Sequence, residues 1–163
     1  MFSCYVVMGV SGAGKSTVGA ALAASLGARF IDADDLHPPE NIRRMTSGQP
    51  LDDDMRWPWL NICGEALRET RQTKPVVMAC SALKQTYRDA LRKHVPDLKL
   101  ICLTLPQDMA QSRVEMRHDH FMPPTLLKTQ TAIFEPPAAT ENPLVIDATQ
   151  PVAQIVDAIV AAG

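Results

Sequence analysis

The stretch GVSGAGKST, residues 9–17, sets a glycine-rich turn directly before a lysine and two hydroxyl side chains. It fits G-x-x-x-x-G-K-[ST], with Gly9, Gly14, Lys15 and Ser16 in register. An apolar run precedes it and an alanine-rich segment follows, which is the strand–loop–helix setting that a chance glycine turn lacks. The chemistry is phosphate binding. Gly9, Val10, Ser11, Gly12, Ala13 and Gly14 can fold tightly enough to turn backbone N–H groups onto phosphate oxygens. The helix opening near Lys15 adds its positive end. Lys15 can reach the β- and γ-phosphates of a nucleotide, the Ser16 hydroxyl can ligate Mg²⁺, and Thr17 completes the nucleotide-binding run.

A second set of residues could serve an acceptor. FIDADDLHP ends an apolar run with Asp32 and Asp34, which share one face if the backbone is extended. A carboxylate at such a strand end can accept a hydrogen bond from a substrate hydroxyl and help take its proton, or can hold Mg²⁺. Asp34 is the candidate catalytic carboxylate; Asp35 reads as solvent-facing. His37 follows, then the cations Arg44 and Arg56. Trp57 and Trp59 flank a proline at a helix start and read as packing residues. In ACSALKQTYRD, Ser81 reads as a helix N-cap, with Lys84 and Arg88 four apart on one helix face. That pair is either a solvated basic face or a grip on an anionic substrate. Arg113 and Arg117, also four apart, could lie over a transferring phosphoryl group. His118, Asp119 and His120 do not have metal-site spacing.

The elements that must position these residues are short continuous apolar runs at 3–8, 29–32, 75–80, 98–105 and 143–147, the pattern of strands buried on both faces. Helical segments are expected at 16–26, 55–71, 83–95, 107–118 and 150–162, the first stopping at Gly27. Alternation of strand and helix predicts an α/β fold with a parallel sheet. The proline-rich pieces HPPE, MPPT and EPPAATENP read as loops.

The 163 residues suit one domain, and 46% are hydrophobic. A net charge of −2 argues against a nucleic-acid partner. The first apolar run is too short for a membrane span or signal segment, so a cytoplasmic protein is expected. Cys4, Cys63, Cys80 and Cys102 read as buried thiols rather than disulfides or metal ligands. Transfer to water is disfavoured: the N-K-x-D base-recognition motif of GTPases is absent, and the 98–105 run ends in Pro106 without an acidic residue. A small kinase fits better.

Together these pieces resemble the gluconokinase family. The matching stretches are GVSGAGKST, DADDLHP (32–38), NIRRMTSGQPL (41–51), RWPWL (56–60), CSALK (80–84) with YRD (87–89), HFM (120–122), Gln130 and EPP (135–137). The resemblance spans nearly the whole chain in order. It implies a P-loop NTPase fold of three α/β/α layers, with a five-stranded parallel sheet and a helical lid at about 113–137. It implies transfer from ATP, with Mg²⁺, to D-gluconate, and a homodimer. It also implies Lys15, Asp34 and Arg117 in catalysis, Arg113 beside ATP, and Asp34, His37, Arg44, Arg56, Lys84, Arg88 and His120 around the acceptor. The chain departs from the family's L-x-D-x-D-R pattern by placing Met55 at the second acidic position. The rival readings are a shikimate kinase, whose G-G-G turn is replaced here by CSALK, and a non-catalytic nucleotide-binding module.

Overall fold

The computed structural model describes residues 1–117, 121 and 123–163. The expected acceptor residue His120 lies outside them, as do His118, Asp119 and Met122. The strands are β1 (Cys4–Met8), β2 (Arg29–Asp32), β3 (Val76–Ala79), β4 (Lys99–Thr104) and β5 (Leu144–Asp147). Each lies within one residue, at either end, of its apolar run in the sequence. All pair in parallel in the order β2-β3-β1-β4-β5. Side chains alternate across β1: Cys4, Val6 and Met8 enter one core, Tyr5 and Val7 the other. A strand with apolar residues on both faces needs helices on both, and the sequence provides them.

Among the described residues the helices are α1 (Lys15–Leu26), α2 (Pro39–Thr46), α3 (Asp53–Thr70), α4 (Gln85–His94), α5 (Gln107–Glu115), α6 (Leu127–Ile133) and α7 (Val152–Ala162). Helices α3 and α4 cover one face through Trp59, Leu60, Leu67, Tyr87 and Leu91. Helices α1 and α7 cover the other through Val18, Leu22, Ile155 and Ile159. Each side chain buried this way contributes about 1.5–3 kcal/mol. The result is the three-layer α/β/α arrangement. All four cysteines are buried and free. Among the described residues no helix is long and apolar enough to cross a membrane.

Two local expectations are corrected. HPPE is not a plain loop: Pro39 occupies the first turn of α2, where its missing N–H costs nothing. Ser81 is not an N-cap. Helix α4 starts later, at Gln85, after Ala82 in a left-handed conformation (φ +42°) and Lys84 extended at the N-cap, and the chain at Glu135 is bonded to this stretch. There the Glu135 N–H donates to the Leu83 carbonyl (2.8 Å) and the Glu135 carboxylate accepts from the Gln85 N–H (2.9 Å). Helix α6 lies between the MPPT and EPPAATENP pieces, in the stretch where the resemblance implies a helical lid.

Candidate active site

The phosphate loop follows β1, the central strand, and faces outward from the carboxyl end of the sheet. Gly14 sits at φ +93° at the N-cap of α1, a conformation in which a side chain is strained. Gly12 is needed for space as well: a Cβ there would stand 2.5 Å from the Ala110 carbonyl oxygen of α5. The loop is therefore pressed onto α5. In this state the Lys15 ammonium donates to the Val10 carbonyl (3.0 Å). Burial lowers its pKa; Asp34 pulls it back up and Arg117 pushes it further down.

Three lid-side residues meet the loop. The Ser11 N–H donates to Gln130 Oε1 (2.7 Å) and Arg117 Nη1 donates to Ser11 Oγ (3.2 Å). Arg113 bridges the Gly12 carbonyl (3.4 Å) to the Ala148 carbonyl beyond β5 (3.2 Å). Two arginines thus stand on the phosphate loop, where charge develops during phosphoryl transfer.

On the acceptor side, β2 ends at Asp32 and the chain turns into a short 3-10 helix, Ala33–Leu36. Asp32 and Asp34 therefore do not alternate along an extended strand. Instead the Asp34 N–H donates to Asp32 Oδ1 (3.0 Å), while Ser16 Oγ donates to Asp32 Oδ2 (2.7 Å). The turn is anchored by Trp59, whose indole N–H donates to the Ala33 carbonyl (2.7 Å). Trp59 also stacks on His37 with ring centroids 4.1 Å apart. Trp59 is buried as expected, but Trp57 stays exposed with its edge against Tyr87.

Asn41 sets the tautomer of His37. Asn41 Nδ2 lies 3.1 Å from the Met55 carbonyl, which can only accept, so this amide nitrogen is the donor. Its second hydrogen faces His37 Nδ1 at 3.3 Å. Nδ1 then accepts, and Nε2 carries the proton, 3.9 Å from Asp34 Oδ1. His37 presents an N–H edge to the carboxylate.

The cleft between these walls has a volume of about 290 Å³ and gathers Lys15, Ser16, Asp34, His37, Arg56 and Arg117. Arg113 and Gln130 also line it. Arg88 is not a substrate ligand here: it is 1% exposed, salt-bridged to Glu141 (2.7 Å), and donates to the Ala82 and Leu83 carbonyls. Nor do Lys84 and Arg88 share a helix face, since Lys84 precedes α4 and pairs with Asp53 (3.5 Å). Arg44 donates to the Pro50 carbonyl (2.7 Å), bracing the turn after α2 outside the cleft walls. Met55 packs with Met45, Leu51, Leu126 and Phe121, an apolar cluster at the acceptor end.

Sequence reasoning underrated Asp32, although its place at the strand end was the available signal. Asp53 and Tyr87 fall in motifs of the resemblance, L-x-D-x-D-R and YRD, but their pairing had no signal because it joins the start of α3 to α4 across distant sequence. Ser16 Oγ and Asp32 Oδ2 form a hard-oxygen pair beside the phosphate loop, which suits Mg²⁺ held mainly by substrate phosphates. Among the described residues no group of three or more His, Cys, Asp or Glu could hold a metal without such help.

A cleft with a phosphate loop on one wall and the Asp34 carboxylate on the other has room for an acceptor beside the nucleotide, and the class it defines is the small P-loop kinases. A family model described as shikimate kinase matches residues 11–161. The thermoresistant gluconokinase of Escherichia coli K12 is 44% identical over 93% of this chain and 88% of its own. A gluconokinase crystal structure from Sinorhizobium meliloti 1021 superposes with a TM-score of 0.84 at 47% identity, covering 95% of this chain and 87% of that one. An unliganded sugar kinase from Janibacter reaches a TM-score of 0.92 at 38% identity, over 99% and 94%. The chain belongs to the gluconokinase family and is an ATP-dependent small-molecule kinase.

Proposed function

We propose that this protein transfers the γ-phosphoryl group of ATP to the terminal hydroxyl of D-gluconate, giving 6-phospho-D-gluconate and ADP. The acceptor oxygen forms the new bond to phosphorus, the bond to the bridging oxygen of ADP breaks, and the hydroxyl proton leaves toward Asp34. The observation that carries this reading is the placement of Asp34 across one cleft from Lys15 and Ser16, in a chain with gluconokinase relatives.

Lys15 leaves the Val10 carbonyl to meet the β- and γ-phosphates, and Arg117 and Arg113 offset the charge on the transferring group. Asp34 accepts the hydrogen bond of the attacking hydroxyl, with the His37 Nε2–H edge orienting the carboxylate. Ser16 and Asp32 would hold Mg²⁺, which when bound to the phosphates neutralises their charge. Arg56 takes the acceptor's carboxylate. A homodimer, the assembly that the resemblance implies, is the proposed working unit, and the cytoplasm its location.

Asp34→Asn keeps the shape of the site and removes the base. We expect kcat to fall by about 10²–10⁴-fold with ATP affinity unchanged, read by acceptor-dependent ADP release and by nucleotide titration. Near-normal turnover in this variant would remove Asp34 from the mechanism.

A further inference from the structure

At the acceptor end of the cleft, Arg56 and Tyr87 on the wall join Asp53 and Lys84 behind them in a cluster that phosphoryl transfer itself does not use. Tyr87, on α4, is 1% exposed yet borders the cleft. Its hydroxyl donates to Asp53 Oδ1 at the start of α3 and accepts from Arg56 Nη1 (3.1 Å). Asp53 lies 3.7 Å from Arg56 Nη1 and 3.5 Å from the Lys84 ammonium. Both cations also stand over the Tyr87 ring, at 5.3 and 5.6 Å from its centroid.

Two cations share one carboxylate, so the cluster keeps a net positive charge. Burial and the Asp53 hydrogen bond push the Tyr87 hydroxyl up to about 12, so it stays a neutral donor. The Tyr87 hydrogen bond holds Asp53 below the usual carboxylate range, with help from Lys84 and Arg56. Arg56 spends Nη1 on this network. Among the described residues its other guanidinium N–H groups make no hydrogen bond, and its side chain, 14% exposed, borders the cleft. A planar fork with one edge fixed and the rest unspent is suited to two-point binding of a carboxylate.

We propose that Tyr87 and Asp53 are positioning residues that set Arg56, with Lys84 beside it, as the receptor for the acceptor's carboxylate. This rests on the D-gluconate reading above. It assigns the sugar-acid specificity to a contact between α3 and α4 rather than to the phosphate loop.

The test is steady-state kinetics on Tyr87→Phe, Asp53→Asn and Asp53→Glu, with D-gluconate and ATP varied separately. Tyr87→Phe keeps the ring but frees the guanidinium. Its KM for D-gluconate is expected to rise about tenfold, the effect of losing one hydrogen bond to a charged group. Its kcat and its KM for ATP should each change less than about twofold, since the phosphate loop is untouched. Asp53→Asn should do the same, and Asp53→Glu should recover part of the loss. Asp53 is substantially exposed, so its variants keep the test sound if the buried Tyr87 substitution disturbs folding. An unmoved KM for D-gluconate in Asp53→Asn, or losses falling equally on kcat and on ATP, would overturn the clamp. A wild-type enzyme that turns over ATP normally but ignores D-gluconate would overturn the acceptor reading and the clamp with it. The two failures are therefore distinguishable.

Discussion

Lys15 holds a buried charge beside a second cation, Arg117. Burial lowers its pKa, and Arg117 adds to the effect against the pull of Asp34. A base whose folded pKa is depressed binds fewer protons than in the unfolded chain, so this group alone makes stability rise as pH rises through that window. The phosphates of ATP reverse the situation by supplying negative charge, which raises the pKa again. Nucleotide binding should therefore take up protons at alkaline pH. Calorimetric titration in two buffers of different ionisation enthalpy measures that uptake directly, and Lys15→Met should abolish it while leaving the fold intact. The phosphate-loop residues were legible in the sequence because their chemistry depends on local spacing. Asp34 was legible as a residue, but its geometry was not: the Asp32 side chain captures its N–H and ends the strand.

Arg88 belongs to the scale of elements. It joins α4 to the turn Ala139–Glu141 through a two-point ion pair with Glu141, which also accepts from Arg92 (2.9 Å). Burial pushes the Glu141 carboxyl up, but hydrogen bonds from Arg88, the Ala138 N–H and Arg92 outweigh it and bring it down to about 2. A depressed carboxyl contributes stability that is present above about 4.5 and lost as pH falls toward 2. That contribution is roughly 3 kcal/mol. Glu141→Gln should be less stable at neutral pH and should lose less on acidification, measured by urea unfolding at two pH values. Arg88→Ala strands a buried carboxylate and should cost about 3–5 kcal/mol, with an unchanged KM for the acceptor in protein that remains folded. Sequence spacing suggested that Lys84 and Arg88 act together. The helix begins after Lys84, so the two side chains diverge to Asp53 and Glu141.

At the scale of the molecule, the five strands were readable because parallel strands buried on both faces leave unbroken apolar runs. Helix α2 was not, since it starts at Pro39 in a proline-marked polar segment that reads as loop, and α6 was legible only through the helical lid that the resemblance implies. The same limit applied to the site. The local phosphate loop could be read directly, whereas the cluster of Arg56, Tyr87, Asp53 and Lys84 exists only once α3 and α4 are packed together. The sheet sets the phosphate loop and Asp34 at the carboxyl ends of β1 and β2, and the lid segment brings Arg113, Arg117 and Gln130 onto the loop from the other side. The whole arrangement predicts a cleft that turns over ATP only when a small anionic polyol fills the acceptor end.

The most direct measurement is ADP release from Mg·ATP with D-gluconate, other sugar acids, shikimate, or no acceptor. The account predicts rapid release with D-gluconate, little with the other acids, and almost none without an acceptor. Release that is equal with and without acceptor, or that follows shikimate in place of D-gluconate, would contradict it.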